Sequence, residues 1–242
     1  AARAQVGTGS DVLIPGFVIA GAPRAVLVRA VGPTLAQFGV ADALSAPVLT
    51  LFDADSKPIA TNTRWTTATN LDALRGAAIR LGAFALPEDS ADSAIFVTLS
   101  PGAYTAQTSG VNNTSGVALV EIYEDGVGFR PGSIPPGGRL VNTAVRAQVG
   151  TGANVLIPGL VVSEGAPKTV LIRAVGPGLE PFGVSGVLAQ PVVTLFAGAE
   201  GFVSNSGWNS AANAREIRAA AMRVGAFALA EGGARQRHPC QS

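Results

Sequence analysis

Short apolar runs alternate along the chain with Gly, Pro, Asn and Asp. The runs are rich in β-branched and aromatic residues, and they read VLIPGFVIA, AVLVRAV, PVLTLF, SAIFVTL, YTAQTSG and VALVEIY. Runs of this kind, bounded by turn residues, predict β-strands. In TAQTSG and VEIYE polar and apolar residues alternate, which is typical of a strand with one buried face. We expect hairpins at residues 100–102 and 53–56, where a short turn separates two runs.

Two segments have the spacing of a helix instead. Apolar residues recur at intervals of three and four positions over 71–81 and again over 214–224. Asn70 and Asn213 precede these segments as N-caps, whose side-chain oxygen would accept from the free N–H groups of the first turn. Gly82 and Gly225 are expected to end the helices.

The chain repeats itself. Residues 3–33 match residues 146–177 at 23 of 31 positions, with one insertion at Glu164. FGV and GAFAL also return, and PVLTLF returns as PVVTLF, at an offset of 143–144 residues. We therefore interpret the chain as two copies of one module rather than one fold.

The two copies differ in extent. We predict a first module at 1–126 that lacks its N-terminal lead-in, a Gly/Pro linker at 127–138, and a truncated second module at 139–242. The tail 232–242 breaks the pattern, and with suitable codons a one-base shift turns part of it into RDSAILVN, close to ADSAIFVT at 91–98. We interpret this tail as a frameshifted reading of the missing strand, which the nucleotide sequence would test.

These elements predict an all-β fold made of tandem β-sandwich modules, jelly-roll-like, each with one short helix. A closed barrel is the alternative. Because the second copy lacks its last strands, it should expose apolar faces and unpaired strand edges. We expect self-association or strand exchange between chains to cover them.

Composition narrows the class of protein. Hydrophobic residues make up 48% and charged residues 14%, which excludes a disordered chain. Gly and Pro interrupt every apolar stretch before the roughly 18–20 residues of a membrane span accumulate. The net charge of +1 gives no footprint for nucleic acid or an anionic membrane. One Cys excludes an intrachain disulfide framework and a cysteine-based zinc site.

The run RAQVGTG…VLIPGFVI…VLVRAVGPTL…PGAYTAQTSGV…GVALVEIYE resembles a module found in tandem in large predicted extracellular proteins of Verrucomicrobia-like environmental bacteria. This resemblance covers the first copy and the second copy up to about residue 231. It implies secretion and a setting at the cell surface or in a matrix. It implies no catalytic activity. The PGAYTAQTSG stretch is also similar to accessory β-sandwich modules of secreted hydrolases.

Polar residues present in both copies are the candidates for a site that belongs to the module. Arg29 and Arg173 lie within apolar strands, where a guanidinium could clamp a carboxylate or a sugar hydroxyl, or could bond loop carbonyls at the end of the sandwich. Trp65 and Trp208, with Asn62 and Asn205, could form sugar-stacking platforms, or the Trp rings could plug the sandwich with their N–H groups bonded to backbone.

Acidic residues provide further candidates in the first copy alone. Asp53 and Asp55 could contribute to a Ca²⁺ site, although we favour a plain polar turn, and no other cofactor is indicated. No carboxylate is shared over the main matched segments, which argues against a module-wide pair for glycoside hydrolysis. The single His lies in the suspect tail, so a serine or cysteine hydrolase triad is not indicated.

Three functions follow, and we favour the first. It is a non-catalytic extracellular module with a structural or adhesive role. The second is polysaccharide binding through the Trp and Asn loops. The third is an ester, lactone or glycoside hydrolase that uses unshared residues, namely Asp53, Asp55, Glu88, Asp89 and Asp92.

Overall fold

The computed structural model describes residues 1–126, 138–162 and 167–229. The tail at 232–242 and the linker, apart from Gly138, lie outside the described residues. The chain divides into two compact units, Ala1–Val161 and Val162–Ser242. The repeats place the start of the second module at 139, whereas the first compact unit extends to Val161. Residues 138–161 therefore belong to the first unit although 139–161 belong to the second repeat in sequence.

Two five-stranded sheets form the described part of the first unit, and all their paired strands are antiparallel. One sheet has the order β10-β1-β8-β3-β6 and the other the order β5-β4-β7-β2-β9. The strands are β1 (Ala2–Val6), β2 (Ile14–Ala20), β3 (Arg24–Val31), β4 (Pro47–Phe52), β5 (Pro58–Asn62), β6 (Ser93–Leu99), β7 (Gly102–Gly110), β8 (Gly116–Asp125), β9 (Arg139–Arg146) and β10 (Ile157–Pro158).

The main core lies between the two sheets. Val26 and Val120 face it from one sheet, and Phe17 and Leu49 from the other. In β2, buried and partly exposed residues alternate, as expected for a strand with one face on the core. The all-β prediction is confirmed, and the face-to-face sheets form a sandwich rather than a closed barrel.

The central strand β3 is buried on both faces. Its outer face is covered by helix α1 (Leu71–Arg80) and by the segment that follows the helix. Leu27 of β3 packs there with Trp65 and Leu74 in a second cluster. The predicted helix is confirmed, including its end, where Gly82 has φ +65°.

Two local predictions are corrected. Asn70 precedes the helix, but its side chain makes no cap bond and instead donates to the Phe96 carbonyl at 2.8 Å. Residues 100–102 do not form a hairpin, because β6 and β7 belong to different sheets. This turn carries the chain from one sheet to the other. The hairpin predicted at 53–56 is confirmed, because β4 pairs with β5.

The second unit is described over residues 162 and 167–229. A hairpin of β11 (Val193–Ala197) and β12 (Glu200–Asn205) and helix α2 (Ala214–Arg223) match β4, β5 and α1. Residues 168–175 match β3 in sequence but form no strand. In the first unit β3 forms hydrogen bonds with β6 and β8. No counterparts of these two strands are found within residues 167–229, so the segment that matches β3 has no neighbouring strands to pair with there.

Candidate functional site

Arg29 occupies the outer face of β3 and is 1% exposed. Its Nε and Nη2 lie 2.8 and 2.6 Å from Glu121 Oε2, and its Nη1 donates to the Phe84 carbonyl at 2.6 Å. The guanidinium carbon also lies 4.4 Å from the centre of the Phe84 ring. Glu121 and the carbonyl and ring of Phe84 therefore hold this buried guanidinium within the fold.

Glu121 and Tyr123 of β8 complete this arrangement, and sequence reasoning missed both. Glu121 is the direct partner of Arg29 in the strand register, and Tyr123 Oη donates to Glu121 Oε1 at 2.8 Å. Burial, helped by the hydrogen bond to Glu121, raises the pKa of Tyr123 to about 12. The available signal was a carboxylate inside the apolar run VALVEIY, since a buried acid needs a partner.

Arg173 repeats part of this arrangement in the second unit. Its Nη1 donates to the Phe227 carbonyl at 2.7 Å, and its guanidinium lies 4.4 Å from the Phe227 ring centre. Burial lowers the pKa of Arg173. The ion pairs found among the described residues include none for Arg173, so its guanidinium is held through the carbonyl and the ring.

Trp65 is 5% exposed and belongs to the core under helix α1. Its Nε1 donates to the Pro87 carbonyl at 3.0 Å, and Arg75 lies over its ring at 5.4 Å. Asn62 donates from Nδ2 to the Arg64 carbonyl at 2.9 Å and accepts from Ala94 N at 3.1 Å. The ring is therefore packed inside the unit rather than presented to solvent as a sugar-stacking platform.

Trp208 and Asn205 are half-buried at the matching place in the second unit. Arg218 lies over the Trp208 ring at 5.1 Å, as Arg75 lies over Trp65. The pairing of Trp with Arg therefore belongs to both repeats.

Four side chains converge on one segment, residues 83–90, which we call the anchored loop, and three of them (Arg29, Trp65 and Arg75) are shared by both repeats. The Phe84 carbonyl accepts from Arg29, and the Pro87 carbonyl accepts from Trp65. Arg64 Nη1 donates to the Asp89 carbonyl at 3.0 Å. Arg75 pairs with the Glu88 carboxylate at 2.6 Å. The structure thus brings Arg29 and the Trp65 region together, but around a segment of the chain itself.

The acidic candidates do not meet at one site. Asp53 Oδ1 accepts from the backbone N–H groups of Asp55 and Lys57 at 3.0 and 2.9 Å, which makes residues 53–57 a side-chain-closed polar turn. No group of three or more His, Cys, Asp or Glu that could hold a metal lies within the described parts of the chain.

Asp92 directly precedes β6 and is fully buried, and it binds the backbone near Gly32, just after β3. Its Oδ1 accepts from Gly32 N at 2.7 Å, and its Oδ2 accepts from the Thr34 hydroxyl. Glu88 is exposed and paired with Arg75. Asp92 therefore fixes the turn after β3, and Glu88 helps to hold the anchored loop.

Comparison with known proteins adds no relative. No family model matches the chain, and searches of curated proteins and of solved structures find no match. Within the described ranges, no helix has the length and apolar character needed to cross a membrane.

Proposed function

We propose that the chain is a non-catalytic, extracellular array of jelly-roll modules with a structural or adhesive role. One observation carries the proposal. Two residues that both repeats share contact the fold itself in each of them: Arg29 and Arg173 each bind a Phe carbonyl and ring, and Trp65 and Trp208 each lie beneath an Arg. The contacts of these shared residues within the fold support a structural role for them in the module.

The strand order supports the jelly-roll assignment. Without β9 and β10, the two sheets read 1-8-3-6 and 2-7-4-5. In this order, successive strands cross from one sheet to the other, apart from the β4–β5 hairpin. An eight-stranded, two-sheet arrangement of this kind is the jelly-roll solution to protecting sheet edges. The resemblance to tandem modules of secreted proteins supports an extracellular location.

The second unit supports self-association. Phe182, Phe196, Phe202 and Phe227 are between 40% and 62% exposed among its described residues. A cavity of about 610 Å³ lies against Phe182 and Phe227. In the first unit, the counterpart of Phe227, which is Phe84, packs on a cluster that contains Val117 of β8. Exposed apolar side chains of this number favour association with a second copy.

Solution mass tests the proposal. Light scattering after size-exclusion chromatography should give a mass above 24.3 kDa that rises with concentration. A stable, soluble monomer would contradict self-association. Turnover of ester, lactone or glycoside substrates that persists after removal of residues 232–242 would contradict the structural role and indicate a hydrolase. Glycan-array binding that is lost in Trp208→Ala or Trp65→Ala would replace it by polysaccharide binding.

A further inference from the structure

The cavity of the second unit has a filled counterpart in the first unit. There, Val117 and Leu119 of β8 belong to one apolar cluster with Phe84. Glu121, two positions further along β8, binds Arg29. Side chains at alternate positions of a strand lie on the same face. One face of β8 therefore places two apolar side chains and one carboxylate against this part of the first unit.

The receiving side of this contact is formed in the second unit as well. The Arg173 guanidinium lies 4.4 Å from the Phe227 ring centre, the same distance as in the equivalent pair of the first unit. The Phe182 and Phe227 rings meet edge to face with centroids 5.1 Å apart, against 5.2 Å for the equivalent rings of the first unit. A surface that already has its bound geometry loses little conformational freedom when a ligand binds.

The strand and its carboxylate are the parts without a match. Residues 167–229 contain no counterpart of β8, and none of the ion pairs found among the described residues involves Arg173. Phe227 and Leu229 line the apolar cavity of about 610 Å³. A carboxylate beside Arg173 would form charge-assisted hydrogen bonds. Charge and shape together favour a ligand with apolar groups for the cavity and a carboxylate for the guanidinium.

The run GVALVEIYE occurs once in the sequence, at 116–124, and it forms β8 in the first unit. A second copy of the chain uses its own run in the same way, so a separate polypeptide has to supply this chemistry. We propose that the surface around Arg173 and Phe227 binds an extended strand of a partner protein with the pattern Val-x-Leu-x-Glu, whose carboxylate pairs with Arg173. Addition of a strand to an unpaired segment is an established mode of peptide recognition. This inference rests on the proposed function only in treating the second unit as a copy of the module, and it does not require self-association.

A fluorescent peptide with the sequence of residues 116–125 tests the proposal on the full chain by fluorescence anisotropy. In this peptide, Glu121→Gln should weaken binding about tenfold, because a charge-assisted hydrogen bond is replaced by a neutral one. In the chain, Arg173→Met should weaken binding of the Glu peptide by a similar factor. Arg215→Met is the matched control, because it removes the same charge from an exposed position in the first turn of α2 and should leave binding unchanged.

The two changes together test whether the two groups meet. Against Arg173→Met, the Glu and Gln peptides should bind equally, within about twofold, because the partner of the carboxylate is gone. Equal binding of the two peptides by the unaltered chain would overturn the proposal, since an apolar surface that any chain can cover would then explain the result.

A disulfide tests the position of the strand with Arg173 intact. In the first unit Ala30 pairs with Val120, and Ala174 is the counterpart of Ala30. A chain with Ala174→Cys and Cys240→Ser should therefore form a mixed disulfide with the Val120→Cys peptide about tenfold faster than with the Ala118→Cys peptide. Equal rates would overturn the proposed register and with it the proposal.

Strand docking and self-association can fail separately. Carboxylate-dependent peptide binding by a chain that stays monomeric at every concentration supports strand docking and contradicts self-association. A mass that rises with concentration, without any binding of the peptide, overturns strand docking and leaves the proposed self-association in place.

Discussion

Replacing Arg29 by Met should destabilise the first unit strongly. The Arg29 and Glu121 side chains are 1% and 8% exposed. Removing one member of a buried pair leaves an uncompensated charge and costs about 3–5 kcal/mol, whereas an exposed pair contributes about 0–1 kcal/mol. Because a domain is stable by only about 5–15 kcal/mol, this loss is a large fraction of the total.

The double variant Arg29→Met with Glu121→Leu separates charge from packing. It removes both buried charges, and apolar replacement of a buried pair is often neutral or stabilising. We therefore expect it to recover most of the lost stability, except for about 1 kcal/mol from the hydrogen bond that Tyr123 loses. Arg75→Met is the matched control, because the side chains of Arg75 and Glu88 are 40% and 68% exposed.

Urea unfolding followed by Trp fluorescence provides the assay. The chain has two Trp residues, so a Trp208→Phe background leaves Trp65 as the reporter of the first unit. A loss below about 1 kcal/mol for Arg29→Met, the size expected of a surface pair, would refute the buried-pair argument. A double variant no more stable than Arg29→Met would refute it as well.

Three further predictions concern other polar groups. Because the pKa of Tyr123 is raised, its contribution to the free energy of unfolding is present below pH 10 and is lost as the pH rises to about 12. In pH-dependent unfolding curves, Tyr123→Phe should reduce this alkaline loss of stability, whereas the control Tyr104→Phe should retain it. Asp92→Ala should cost about 2–4 kcal/mol in urea unfolding, because the buried Gly32 N–H loses its acceptor, and exposed Asp89→Ala should stay within about 0.5 kcal/mol. Asp53→Ala should cost about 1 kcal/mol equally with Ca²⁺ and with a chelator, and a melting shift that only Ca²⁺ produces would contradict the polar-turn interpretation.

Local sequence predicted local structure well. The helix at 71–80, its terminal Gly82 and the β4–β5 hairpin depend on residues close in the chain. The GTG sequence at 7–9 and 150–152 opens the same turn in both repeats. Gly7 N donates to the Asp11 carbonyl in the first repeat, and Gly150 N donates to the Asn154 carbonyl in the second, each at 2.9 Å. The same hairpin and helix recur in the second unit as β11–β12 and α2.

Features that depend on distant strands could not be predicted. Glu121 meets Arg29 across 92 residues of sequence, so no local pattern indicated the pair. The hairpin prediction at 100–102 is wrong for the same reason. The two runs that flank this turn, β6 and β7, pair with distant strands in different sheets and not with each other. RAQV shows the same dependence, since it forms most of β1 at 3–6, whereas at 146–149 only Arg146 belongs to a strand.

The second unit also bears on the order of events during synthesis. Its hairpin, its helix and the contact of Arg173 with Phe227 exist without counterparts of β6–β8 within residues 167–229. In the first module, the same elements emerge from the ribosome before β8 does. We therefore expect Arg29 to contact Phe84 before it binds Glu121. The buried ion pair would then form only when β8, the final strand of the module, is added to the sheet.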